Sequence, residues 1–523
     1  MFRKTIITAL AALALGAGGA AAQDTPQPGG TLRFVMKYEP ATLSSINNTS
    51  TPLTSGKIFD GLLTYDYDLK PAGQLATSWE IAPDGLKYTF KLREGVTWHD
   101  GKPFTAADAA FSILRLKEGH PRGRATFANV TEANTPDPQT LELVLSKPAP
   151  YLIVALGASE SPIVPKHLYE GVDIATPPGP DLLIGTGPFV LKEWVRGSHA
   201  LLEKNQNYWD KPKPYLDRVV LRFIPDAAAR GAAFEAGDLD LGALVPVPLA
   251  DLPRYEQDPR FDVVKRDYAY TGAQNQIFFN LEQPAVQNKK LREAIAHALD
   301  LQRIVDTVFY GAAKVSPSPI SVALGPWYDP TVTARAYDPE LAKKLLDEAG
   351  LPAGADGTRV KLRLLYNPFI DGRLADFVRQ SLREVGIDAV IERLEFAAYV
   401  KAVYTDRQFD LTIESLTNVF DPTVGVQRGY WSKNFKPGLP FSNSAAYKSD
   451  EADRLLEAAA VEVDQAKRKE LFNQFQHLIH EDIPSIDLIS PLEVIVADKR
   501  LRNYAVGAEG AAGNWADAYF AKE

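Results

Sequence analysis

The chain has 523 residues, 45% of them hydrophobic and 24% charged, which is apolar material for two or three folding units and not the profile of a disordered or fibrous chain. With 57 Lys+Arg against 66 Asp+Glu the net charge is −9, and no block of like charge stands out, so a non-specific nucleic-acid binder and a protein of anionic membrane surfaces are both disfavoured. The absence of cysteine excludes disulfides, zinc knuckles, thiol catalysis and a lipidated N-terminal cysteine together.

Residues 1–22 read as a secretory signal: Arg3 and Lys4 precede an apolar stretch from Ile6 to Ala17, and the small run Ala20-Ala21-Ala22 offers a cleavage site before Gln23. No later stretch reaches the about 20 apolar residues of a membrane-spanning helix. The expected mature protein is exported, free of lipid and periplasmic.

After a Pro/Gly/Gln opening, Thr31 to Met36 alternates as a strand, and so does Leu86 to Leu92 behind the turn dipeptide Asp84-Gly85. A helix begins near Thr105, with Thr105 and Asp108 as a capping pair and Ala106, Ala109, Ala110, Ile113 and Leu114 at helical spacing. From about Phe278 the pattern changes. Asp300 caps the second of two helical runs, and Asp338-Pro339 opens a helix that Gly350 closes. Next come a strand at Val360 to Leu364, a helix through Leu374 to Val385, a strand at Ile387 to Leu394, a helix near Ala398 to Tyr404 and a strand at Phe409 to Ser415. That β-α-β-α-β order predicts a parallel sheet. In such sheets ligands meet the loops at the carboxyl ends of the strands, so Tyr366-Asn367 and the run Leu416 to Arg428 become candidate binding loops on topology alone.

Motif-bearing enzyme classes gain no support: the chain beyond residue 22 holds no Gly-x-Ser-x-Gly elbow, Walker loop, His-Glu-x-x-His or dinucleotide fingerprint. His477, His480 and Glu481 sit late in a helix expected over Asp464 to Glu481, where they suit a helix C-terminus better than a metal, and no metal or cofactor is expected. Gly185-Thr186-Gly187-Pro188 reads as a turn, since Pro188 lacks the N–H a phosphate loop would use.

Several segments taken together resemble the solute-binding protein family 5 of ABC importers. They are Leu75-Ala76-Thr77-Ser78-Trp79-Glu80, Tyr88 to Gly101, Phe104-Thr105-Ala106-Ala107-Asp108, Gly185-Thr186-Gly187-Pro188-Phe189, Asn207-Tyr208-Trp209, Phe234 to Asp240 and Leu291-Arg292-Glu293-Ala294-Ile295. Trp79, Trp98, Trp209 and His99 among them read as packing and turn residues. The resemblance implies a periplasmic receptor, not an enzyme, with a two-lobe α/β Venus-flytrap fold and an extra α+β domain in the first lobe. The first lobe is expected from 23–70, 185–285 and 490–523, the extra domain from 71–184, and the second lobe from 286–489. Hinge crossings are expected near Phe278-Phe279-Asn280 and Ile489-Ser490. The implied partners are a small-molecule or short-peptide ligand and the permease with its ATPase subunits at the inner membrane, the receptor acting as a monomer. A periplasmic enzyme on the same scaffold is the rival class.

In peptide-binding relatives an aspartate four residues before a proline pairs with the peptide ammonium, and Asn418 holds that position here, before Pro422. Asp421 either replaces that carboxylate or serves as a turn residue before proline. Arg428 either clamps a carboxylate, sulfate or phosphate or pairs with a structural carboxylate, and Tyr430 and Trp431 either stack on the solute or pack beneath the loop. Asn47, Asn48, Thr49 and Tyr270 are the polar candidates from the first lobe, and Asn367 joins them from the second. The solute end that meets the Asn418–Arg428 loop is expected to be neutral or anionic.

Overall fold

Thr31–Met36 forms a strand because Leu32, Phe34 and Met36 bury one face while Val35 enters a second cluster on the other. It runs parallel to Arg218–Phe223 and Leu241–Gly242 at the centre of a seven-stranded sheet. In space the order is Phe261–Arg266, Glu493–Asp498, Leu241–Gly242, Thr31–Met36, Arg218–Phe223, His199–Lys204 and Phe189–Val195. The computed structural model describes residues 25–49, 51–173 and 175–522. The secretory signal expected at 1–22 lies outside them.

A four-stranded antiparallel sheet, Ala76–Ile81, Lys87–Leu92, Thr140–Leu145 and Val130–Asp137, carries the helix Ala106–Gly119. Thr105 and Asp108 cap that helix reciprocally, and Ala106, Ala109, Ala110 and Ile113 are buried. Leu114, read as part of the same stripe, stands at its edge and is exposed.

The second large sheet has six strands, in the order Ala313–Val315, Ser485–Pro491, Ala273–Phe279, Leu411–Thr417, Val360–Tyr366 and Ile387–Arg393. Val360–Tyr366 pairs parallel with both Ile387–Arg393 and Leu411–Thr417, as the β-α-β-α-β order requires. Helices Gly372–Glu384 and Pro339–Glu348 begin at Asp371 and Asp338, whose carboxylates accept from Arg373 N and Leu341 N. Three antiparallel strands complete the sheet, making it mixed.

One of those strands corrects the expected hinge. Phe278, Phe279 and Asn280 are not at a crossing: Ala273–Phe279 hydrogen-bonds between Leu411–Thr417 and Ser485–Pro491 inside the second sheet. The physical reason is that both faces of this strand are covered, Phe278 joining one core cluster and Ile277 with Phe279 the other. The chain therefore leaves the first sheet over 267–272, and residues up to 285 assigned to the first lobe lie with the second. The return passage is at Leu492, between Pro491 and Glu493 and close to the expected Ile489-Ser490. Thr271 Oγ1 donates to Glu493 Oε2 at 2.8 Å, tying one crossing to the other.

Candidate functional site

The loops Asn367–Asp371, Leu394–Phe396 and Asn418–Phe441 leave the carboxyl ends of the three parallel strands on one side of the second sheet. The last is folded tightly: a Cβ on Gly425 would lie 1.7 Å from the Asn418 carbonyl oxygen, so only glycine lets the chain double back there. Val419 and Phe441 take left-handed backbone angles, φ 45° and 56°. Such conformations are costly for β-branched or bulky residues and persist where the surroundings over-determine them.

Arg428 is the cation of this loop. Its Nε and Nη2 donate to the carbonyls of Gly425 and Thr417, each at 3.1 Å, while Nη1 makes no hydrogen bond among the described residues. The guanidinium lies 5.9 Å from the Phe441 ring centre and has no carboxylate in ion-pair contact among the described residues. Burial first, and then the charge of Arg122, pushes it down to about 10, so it remains a cation at neutral pH. Beneath it, Glu414 accepts from Tyr404 OH at 2.7 Å, and burial pushes its carboxyl up. Glu414 Oε1 and Gln427 Oε1 are buried without a hydrogen-bond partner among the described residues.

Arg122 faces this group from the first lobe. Its Nε donates to Glu160 Oε1 at 2.6 Å and its Nη2 to the second carboxylate oxygen, the bidentate geometry that suits a guanidinium. Although burial pushes the Glu160 carboxyl up, Arg122 holds it below its ordinary range. His120, 3.8 Å from Glu160, is pushed down to about 4 by burial and is neutral, with Nδ1 accepting from Gly123 N and Nε2 facing the Asn48 carbonyl. One lobe thus offers a neutralised Arg–Glu pair, and the other an arginine with an unused edge.

A model of the bacterial extracellular solute-binding proteins of family 5 matches residues 70–438, more than half of the chain. The chain belongs to that family. It is a solute-binding protein of the kind that serves ABC importers, on the two-lobe α/β fold described above. Heme-binding protein A of Haemophilus influenzae is 29% identical, over 91% of this chain and 88% of that protein. The oligopeptide-binding protein AppA of Bacillus subtilis, solved with a nonapeptide, is 27% identical with a TM-score of 0.78 over 95% and 100% of the two chains. AgaA of A. tumefaciens R10, solved with agropinic acid, is 25% identical with a TM-score of 0.76 over 94% and 99%.

In this family 5 protein the residues singled out from sequence fall into three groups. Arg428 lies on the loop at the carboxyl end of Leu411–Thr417, held by backbone carbonyls and not by a structural carboxylate. Asn47, Asn48 and Thr49 lie beside the Arg122–Glu160 pair, but Asn47 Nδ2 donates to the Thr176 carbonyl and Asn48 Nδ2 to that of Ser44. Asn367 sits under the site, its Oδ1 accepting from Phe369 N at 2.9 Å and so fixing the turn that presents Phe369.

The rest are engaged in holding the fold. Asn418 is buried, with Oδ1 accepting from Ser321 N at 2.6 Å. Asp421 caps Pro422–Gly425 and forms a buried two-point ion pair with Arg468, both bonds at 2.7 Å, so it cannot swing into the cleft without breaking that pair. Tyr430 OH accepts from Gln276 Nε2 at 2.6 Å and lies 2.9 Å from Ser485 Oγ, deep in the core. Trp431 Nε1 donates to Glu457, away from Arg428. Tyr270 donates to the Val154 carbonyl, stacks on Tyr65 and meets Phe420 at a tilt at the crossing.

Sequence reasoning missed Arg122, Glu160, Glu414, Phe369, Phe396 and Phe441. Alternation along Phe409 to Ser415 puts Glu414 on the polar face with Asp410 and Thr412, so its burial follows only from the covering of both faces of this strand.

Proposed function

We propose that this family 5 protein is the periplasmic, monomeric receptor of an ABC importer, and that it closes on a peptide or peptide-like solute whose anionic group binds Arg428. The observation that carries the reading is the Nη1 edge of Arg428, a half-buried arginine whose Nε and Nη2 are held by backbone carbonyls and which has no carboxylate in ion-pair contact among the described residues. An arriving carboxylate supplies the charge-assisted partner for that edge. The AppA nonapeptide complex supports the peptide class. The engagement of Asp421 with Arg468 favours, as a second reading, an acid without a free ammonium, and the AgaA complex with agropinic acid supports that class.

Calorimetric titration with acetylated dipeptides carrying a free carboxylate, and with the same dipeptides as amides, tests the reading. The acids bind and the amides do not, and Arg428→Gln weakens the acids by about 10- to 100-fold, the value of a hydrogen bond to a charged group. Equal binding of acids and amides, or an unchanged affinity in Arg428→Gln, refutes it. Small-angle scattering of the liganded protein gives a smaller radius of gyration than the free one if the lobes close.

A further inference from the structure

Three loops that are distant in sequence bring their aromatic rings into one row. Phe369 and Phe396 have ring centres 5.3 Å apart, and Phe396 and Phe441 stack at 5.8 Å with 25° between planes. Phe441 then meets Arg428, so the row begins at the cation of the site and runs outward. Its far end is open: Phe369 is 63% exposed, an unusual state for a phenylalanine whose neighbours on the row are partly buried.

Lys37, just beyond Thr31–Met36 of the first sheet, acts electrostatically on Asp371, two residues after Phe369, so the exposed end of the row looks toward the first lobe. The left-handed backbone at Phe441, whose ring also meets Tyr404 edge-on at 6.4 Å, and the Asn367 bond to Phe369 N fix the two ends of the row. A single bare ring is ordinary on a protein surface, but a row fixed at both ends and leading to a charged anchor is a built surface.

From this arrangement we infer that the solute carries a flat aromatic or conjugated group beyond its anionic end, and that Phe441, Phe396 and Phe369 are the specificity-determining residues that stack on it. The inference rests on the reading of Arg428 given above. Offset or edge-on contact between rings adds to binding beyond what buried area alone supplies, a gain an aliphatic side chain lacks.

The test uses acetyl-Gly-Trp and acetyl-Gly-Leu, matched monoanions, titrated calorimetrically into the full-length mature protein. The tryptophan acid binds roughly three- to tenfold tighter. Phe369→Ala, at an exposed position, and Phe396→Leu, which keeps bulk, remove most of that preference, weakening the tryptophan acid several-fold more than the leucine acid. Arg428→Gln weakens both acids alike. Equal affinity of the two acids in the wild type, binding of neither at millimolar concentration, or an equal loss of both in Phe369→Ala overturns the inference. Indifference to Arg428→Gln, with the tryptophan preference intact, instead removes the reading of the anionic anchor and leaves the aromatic row standing.

Discussion

Asp421 offers the sharpest test of which polar residues in the cleft loop serve the fold and which serve the solute. Asp421→Ala leaves Arg468 in place, its side chain 3% exposed, with its two 2.7 Å carboxylate bonds gone. The guanidinium keeps Nε on the Ala459 carbonyl and Nη2 on Thr423 Oγ1, and it stays between the rings of Trp327 and Phe472, 4.8 and 5.1 Å away. Breaking a buried pair from one side costs about 3–5 kcal/mol, and the retained contacts put this case near the lower end, about 3 kcal/mol. Loss of the cap on Pro422–Gly425 adds about 1 kcal/mol. Asp421→Asn keeps an acceptor and loses about half as much. Arg468→Met with Asp421→Asn removes both charges and recovers most of the stability, a coupling that a double-mutant cycle measures. Equilibrium urea unfolding followed by tryptophan fluorescence reads these values, with calorimetric titration of a binding acid alongside. If Asp421→Ala unfolds within about 1 kcal/mol of wild type and yet abolishes binding, the carboxylate belongs to the solute and the assignment is wrong.

Asn418→Asp should destabilise by about 1–3 kcal/mol, because it buries a carboxylate with Ser321 N as its one evident donor, and it should not create affinity for ammonium-bearing dipeptides; urea unfolding and titration check the two parts. Asp487, which accepts from Gln276 Nε2 at 2.5 Å, is pushed by burial to about 7 from 3.8. Its raised folded value means that its contribution is fully present below pH 3.8 and is lost progressively as pH rises to 7, so Asp487→Asn should already stabilise at pH 5, stabilise more at pH 7 and change little further by pH 8. His480, which shares its pocket, is pushed to about 4 by burial and stays neutral across that window, so the difference between the two unfolding curves isolates Asp487. Gly425→Ala must push the Asn418 backbone aside and displace the carbonyl that holds Arg428, so thermal unfolding should fall and acid binding should weaken together.

Local signals carried much of the architecture. Thr105 with Asp108, Asp300 and Asp338 cap the helices they were read to cap, because a cap is decided within four residues. The parallel core of the second sheet was legible for a similar reason: alternating strands and amphipathic helices leave few ways to connect. The crossing was not, since Phe278-Phe279-Asn280 declares its place only through partners at Thr412 and Ser485, more than a hundred residues away. The site divides along the same line. Topology drew attention to Arg428, but whether it was free depended on the absence of a distant carboxylate. Asp421 looked available because Arg468 is 47 residues on, and the row of Phe369, Phe396 and Phe441 exists only once three strands lie side by side.

The seven-stranded sheet draws its centre from both ends of the chain. Thr31–Met36 lies next to Leu241–Gly242, and that short strand is completed on its other side by Glu493–Asp498. The six strands of the second sheet, by contrast, all fall between Ala273 and Pro491. The second half can therefore assemble from a contiguous stretch, whereas the first must wait for residues some 450 positions apart to meet, a closure that is slow and leaves strand edges bare in the interval. The threading thus predicts a folding order, the lobe that holds Arg428 before the strand that leaves Leu492 for Glu493, which pulsed hydrogen exchange during refolding would read as earlier protection of 360–417 than of 493–498.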